Sequence, residues 1–202
     1  ETLVVVEDLY RPYRPKRRTR ATIAKEKGLE PLAALITLQK ADKPVETYAL
    51  EYVNPEKEVA TAKEAVDGAK DIIAESVSDE ADYRSWIRKA TMQKGKVISQ
   101  AKDEKAESVY EMYYDFEEPV SKLAGHRVLA LNRGEKEKFL NVKIEAPQED
   151  IIRYLEKKMI HGDNPYTTPI LQEVAEDSYK RLIAPAIERE IRSELTEKAE
   201  DG

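Results

Sequence analysis

Through most of the chain apolar residues recur at three- and four-residue steps, the spacing that lines one face of an α-helix. The longest such run is Val59, Ala62, Val66, Ala69, Ile73 and Val77. Asn54-Pro55-Glu56 precedes it, joining a capping side chain, a proline suited to the first turn and a carboxylate near the positive dipole end. The pattern predicts an amphipathic helix over roughly 55–77, weakened slightly by Gly68. Ser78 is expected to cap the next helix, with Tyr83, Trp86, Ile87 and Ala90 on one face and Gly95 as its stop; at this spacing Trp86, the one tryptophan, reads as core. Helical spacing returns from Val120 to Leu131 until Gly134. It returns again from Pro147 through Ile151, Ile152, Leu155 and Met159 to Gly162.

The last predicted helix opens at Thr168-Pro169 and carries Leu171, Val174, Tyr179 and Leu182. Pro185 should kink it, because its ring frees the carbonyl of Arg181. Beyond the proline, Ile187, Ile191, Leu195 and Ala199 sit four apart, and Glu188–Arg192 and Glu194–Lys198 are carboxylate-first pairs that favour a helix. Only Leu140, Val142 and Ile144 alternate with polar residues as a strand does. Residues 96–105 are lysine-rich and ambiguous, and Asp163-Asn164-Pro165 is a loop.

Nearer the start, Leu3, Val6 and Tyr10 fit the end of a helix that Arg11 closes before Pro12. Thr22 is placed to cap a short helix ending at Gly28. Pro31 is placed at the first position of another, with Leu32, Leu35, Ile36 and Gln39 on one face, ending near Ala41. Asp42 to Asn54 reads as a connector. The fold class expected is mainly α, a multihelical assembly with a minor β element near 139–145. Four sections follow: a basic, proline-stiffened stretch with short helices (1–41), a helical core (54–134), a strand and helix (139–161), and a long proline-bearing helix (168–200).

Charge changes this picture at one place. Between Arg11 and Lys27 lie eight basic residues and a single acid, Glu26; of totals of 34 and 40, the rest of the chain keeps 26 basic against 39 acidic residues, a net of −13. Pro12 and Pro15 stiffen the run and Tyr13 lies between them. A cationic ribbon on an acidic protein needs a negative surface opposite it. Two readings stay open. Arg11, Arg14, Lys16, Arg17, Arg18 and Arg20 neutralise nucleic-acid phosphates while Tyr10 or Tyr13 stacks on a base, or the run docks on the protein's own acidic helices. Five carboxylates without a cation from Glu107 to Glu118 make Tyr110, Tyr113, Tyr114 and Phe116 a packed helix edge rather than a stacking platform.

The remaining chemistry is sparse. The absence of cysteine excludes disulfides, thiolate nucleophiles and thiolate metal sites. His126 and His161 have no partners at metal-ligand spacing, and no phosphate loop, nucleotide fingerprint or nucleophile elbow occurs. No metal site, cofactor or catalytic residue is expected, and so no enzyme. No apolar run reaches the roughly 20 residues of a membrane span. A cytoplasmic location is expected, and the opening Glu1-Thr2-Leu3, without methionine, suggests an excised fragment.

The stretch Glu7-Asp8-Leu9-Tyr10-Arg11-Pro12-Tyr13-Arg14-Pro15-Lys16-Arg17-Arg18-Thr19-Arg20-Ala21-Thr22, continuing to Ala33, resembles the signature of the Tex family of bacterial transcription accessory proteins. Ala65 to Glu75, His126 to Gly134 and Tyr179 to Pro185 agree with it, so the resemblance covers essentially the whole chain, more loosely at 35–60 and 145–168. It implies a helical region between an N-terminal helix-turn-helix part and an RNase-H-like domain, with helix-hairpin-helix and OB-fold modules beyond; Ser193 to Glu200 is similar to the run just before the RNase-H-like domain. RNA or DNA would then be bound mainly through modules outside this chain. The family's kinship with a eukaryotic elongation factor that contacts histones and polymerase keeps RNA polymerase as an alternative partner.

Overall fold

The computed structural model of the chain describes residues 18–201. The N-terminal helix expected over 1–10 and the extended path through Pro12 and Pro15 lie outside them. Mainly α architecture with a small antiparallel sheet is what the chain adopts.

Thr19, not Thr22, caps the first helix, α1 (Arg20–Glu26). Its hydroxyl accepts from the Thr22 amide at 3.1 Å while the Thr22 hydroxyl accepts from the Thr19 amide at 2.7 Å, a reciprocal box satisfying two otherwise orphaned donors. Gly28, at φ 79°, turns the chain into α2 (Glu30–Leu38). That helix ends three residues before the expected Ala41, on Gln39 in left-handed geometry (φ 58°). The expected connector 42–54 holds a short helix of its own, α3 (Val45–Ala49).

The strongest sequence signal, Asn54-Pro55, starts only a 3-10 turn, Pro55–Lys57. Asn54 then pairs with Val59 in an isolated bridge, which blocks helix continuation, and α4 (Ala62–Ser78) begins afresh from the Thr61 cap. This helix is the centre of the molecule. Its Ala65, Val66, Ala69, Ile72, Ile73, Ala74 and Val77 are buried against α1, α2, α3 and the C-terminal helices. Gly68 is more than a weak point in it. A Cβ there would stand 2.4 Å from Leu29 Cδ1 and 3.3 Å from Ala24 Cβ, so its absence permits α1 to lie on α4. Ser78 closes α4 by bonding the Glu75 carbonyl instead of capping the next helix; α5 (Ala81–Lys94) starts at Glu80 without a side-chain cap.

The ambiguous segment after α5 is the middle strand of a three-stranded antiparallel sheet. β1 (Lys96–Ala101) is flanked by β2 (Asp115–Pro119) and β3 (Leu140–Glu145), with Val97 opposite both Glu118 and Ile144. β2 falls where a packed helix edge was expected. The 110–116 aromatic stretch is a 3-10 turn, Glu111–Tyr113, running into that strand, with Tyr110 and Tyr113 buried. α6 (Gly125–Lys136) runs through Gly134, where a Cβ would meet Leu140 Cδ1 at 2.4 Å. Removing the side chain lets β3 pack on α6 at some loss of helix propensity.

α7 (Gln148–Met159) and α8 (Thr168–Asp177) complete the helical layer, and Pro169 lies in the first turn of α8 as expected. Ser178–Ile183 then wind as a π-helix directly into α9 (Ala184–Asp201). The wider winding lies immediately before Pro185 and is how the helix accommodates its missing donor. Glu188 does not pair with Arg192: it accepts from the Ile144 amide at 3.0 Å and covers the outer edge of β3. Arg192 turns to Glu135, at 2.7 and 3.0 Å, and to Asn132 at 3.0 Å, tying α9 to α6. The Glu194–Lys198 pair is present at 3.7 Å, though Glu194 also accepts from Arg88.

Candidate nucleic-acid interface

Of the six basic residues singled out, Arg11, Arg14, Lys16 and Arg17 lie outside the described residues, while Arg18 and Arg20 frame the start of α1. The Arg18 guanidinium meets Glu26 Oε2 at 2.7 Å with both side chains more than 60% exposed. An exposed pair contributes little and exchanges readily with other ions. Arg20 is exposed at the first position of α1 and faces α4, where its charge acts on Asp71.

Asp71 belongs to a denser cluster. Arg181, on the π-helix, reaches Asp71 at 3.7 Å and Asp177 at 2.9 Å. Burial nevertheless pushes the Asp71 carboxyl above its ordinary range, outweighing the pull of Arg181 and Arg20. A groove of about 340 Å³ beside Arg20 is edged by Lys27 but also by Glu58, Glu64, Asp67 and Asp71. The cationic start of α1 therefore borders an acidic wall.

A larger groove, about 750 Å³, opens between α2, α4, α5 and α7. It brings Lys25, Lys158 and His161 against Glu30, Glu75, Asp79 and Glu80, a balance unsuited to a polyanion. Among the described residues no three His, Asp or Glu side chains gather in a metal-binding group. His161 uses its backbone amide, which donates to Gln39 Oε1 at 2.8 Å, and His126 is exposed at the start of α6. No helix among the described residues is long and apolar enough to cross a membrane.

A profile described as Tex central region-like matches residues 40–202. The chain belongs to the Tex family. The Tex chain is 55% identical over 199 residues to Uncharacterized protein YdcI of Bacillus subtilis, covering 97% of this chain and 28% of that protein. It is 36% identical to Transcriptional accessory protein Tex of Neisseria gonorrhoeae over 148 residues, 72% of this chain and 19% of the relative. With S1 RNA-binding domain-containing protein 1 of Homo sapiens it shares 28% over 216 residues, 99% of this chain and 21% of the relative. It thus spans between 19% and 28% of the length of these relatives.

The surface of the Tex chain differs from the sequence expectation at Trp86. This residue is not core: it is 38% exposed and stacks on Tyr154 of α7, ring centroids 3.9 Å apart and planes within 2°. Tyr83 meets the same ring edge-on at 6.1 Å. The signal was present in the neighbours of Trp86 on α5. Asp82 and Lys89, four before and three after it, are polar, whereas Ile87, one position on, is fully buried.

Proposed function

We propose that this region is the helical scaffold of a nucleic-acid-binding transcription accessory protein, carrying no chemistry of its own and acting in the cytoplasm. It positions the RNase-H-like, helix-hairpin-helix and OB-fold domains that the family resemblance implies, and the run Arg11, Arg14, Lys16, Arg17, Arg18 and Arg20 touches RNA or DNA backbone. The family match over 40–202 carries this reading. Two relatives, a transcriptional accessory protein and an S1 RNA-binding domain-containing protein, agree with it by name. The exposure of Arg18 and Arg20 supports a phosphate contact at the start of α1.

The test is charge reversal. The double variant Arg17→Glu, Arg18→Glu should weaken binding of RNA or DNA by the full-length protein uniformly across sequences. It should also flatten the log K against log salt slope by about 0.7–0.9 for each phosphate no longer neutralised. The Arg18–Glu26 ion pair favours a second reading, an architectural protein-interaction element that contacts RNA polymerase and no nucleic acid. Unchanged affinity and slope in the double variant would select that alternative.

A further inference from the structure

The stacked pair Trp86–Tyr154 lies on the seam between α5 and α7, which run antiparallel with Lys94 meeting Asp150 at 3.5 Å further along. A parallel stack occupies one face of each ring, and Trp86 retains 38% of its exposure. Three cations surround it. Lys89 follows Trp86 by three residues on α5, and Lys157 and Lys158 follow Tyr154 by three and four on α7, spacings that put each beside its ring. Lys158 Nζ stands 5.7 Å from the Tyr154 centroid. All three lysines are exposed, and among the described residues none forms an ion pair. The opposite side of α5 behaves differently: Arg84 and Arg88 are held by Glu190 and Glu194 of α9. On a chain of net charge −6, three lysines stand outside any ion pair where the one tryptophan is exposed, although Glu80 and Asp82 lie on the Tyr83 side of the stack.

We propose that this seam is a stacking site for single-stranded nucleic acid. An unpaired base would extend the Trp86–Tyr154 stack and the adjoining phosphates would meet Lys89, Lys157 and Lys158. Stacking on aromatic faces within a positive groove is how unpaired strands are bound without sequence preference, and a duplex, whose bases are already stacked, offers no such partner. The carboxylate Asp82, next to Tyr83 and one turn before Trp86, bounds the site on one side. The seam rests on the same premise of a nucleic-acid partner as the basic run but not on its residues.

Trp86 is its own reporter, being the only tryptophan. The 202-residue chain would be titrated at low salt with fluorescently labelled dT12, U12 and a 12-base-pair duplex, following label anisotropy and Trp86 emission together. Both single strands should quench Trp86 in step with the anisotropy change, and the duplex should bind at least tenfold more weakly by this readout. The double variant Lys89→Glu, Lys158→Glu should lose affinity at least tenfold. Arg17→Glu with Arg18→Glu should leave the saturating quench unchanged even where it weakens affinity, which separates failure at this site from failure at the basic run. Single-strand binding that shifts anisotropy with Trp86 emission unmoved would overturn the proposal, as would equal quenching by the duplex, or an absence of binding by a folded chain.

Discussion

Asn164 provides the sharpest stability test. Sequence marks it only as part of a loop, yet its carboxamide joins the end of α2 to the entry of α8. Oδ1 accepts from the amides of Tyr166 at 2.9 Å and Thr167 at 3.0 Å; Nδ2 donates to the carbonyls of Ala41 at 3.0 Å and Gln39 at 3.3 Å. Asn164→Ala deletes all four bonds at once. At about 1 kcal/mol net each, the ceiling is about 4 kcal/mol. The site is only part-buried, so water reaches some of the released groups, and a loss of about 2–3 kcal/mol is expected. For a domain of this size that corresponds to a fall in Tm of roughly 4–12 °C. Urea unfolding followed by circular dichroism and by Trp86 emission would measure it. Asn164→Asp sharpens the test, because it keeps both acceptor contacts while setting carboxylate oxygen against two carbonyls. That repulsion raises the folded-state pKa of the introduced acid above its unfolded value. Relative to the parent, the variant should therefore lose least below the ordinary carboxylate range and lose more as pH rises from there through the raised value. An Asn164→Ala protein within about 0.5 kcal/mol of the parent would refute the account, as would an Asn164→Asp protein with no such acid-side recovery.

Other consequences are as open to measurement. Gly68→Val should cost at least about 2 kcal/mol by chemical denaturation, since the new side chain meets Leu29, only 1% exposed, and Ala24 where α1 lies on α4. Arg192→Lys should cost about 1–3 kcal/mol, because an ammonium cannot reproduce the two-pronged contact with Glu135 while also reaching Asn132. Burial pushes the Tyr179 phenol up to about 12. Its folded-state pKa is above the unfolded value near 10, so its contribution is complete below pH 10 and falls away as pH rises toward 12; Tyr179→Phe should flatten that alkaline decline in a series of Tm measurements.

The helices that were legible in the sequence are those whose apolar spacing also determines their packing. Ile151, Leu155, Ile187 and Ile191 are buried as their periodicity implies. β3 was legible because Leu140, Val142 and Ile144 alternate with polar residues. Its partners were not. Inward-facing Ser99 in β1 is buried but polar, satisfied by the Tyr113 carbonyl at 2.7 Å, a bond that no pattern of apolar residues records. β2 reads Asp-Phe-Glu-Glu-Pro, and its two glutamates are held by Lys96 and by Arg127 from elsewhere in the chain. Local capping chemistry also lost to tertiary contacts: Asn54-Pro55 has every mark of a helix start, but the pairing of Asn54 with Val59 confines it to one turn. At the candidate interface, composition alone exposed the cationic run, whereas the exposure of Trp86 was legible only in its polar helical neighbours Asp82 and Lys89, not in the spacing of the apolar residues around it.

The winding of the C-terminal helix has a consequence for how the two halves of the protein are joined. Leu171, Ala175, Tyr179, Ile183, Ile187 and Ile191 are all buried and follow one another every fourth residue. On an ordinary α-helix such a stripe drifts by about 40° at each step, and within a few turns it would face away from where it began. The π segment takes up part of that drift in its wider turn, and the remainder carries the stripe from α4 and α7 round toward β3 and α6. One unbroken rod thereby serves successive parts of a single hydrophobic core, and deleting a single residue between Ser178 and Ile183 would put them out of phase.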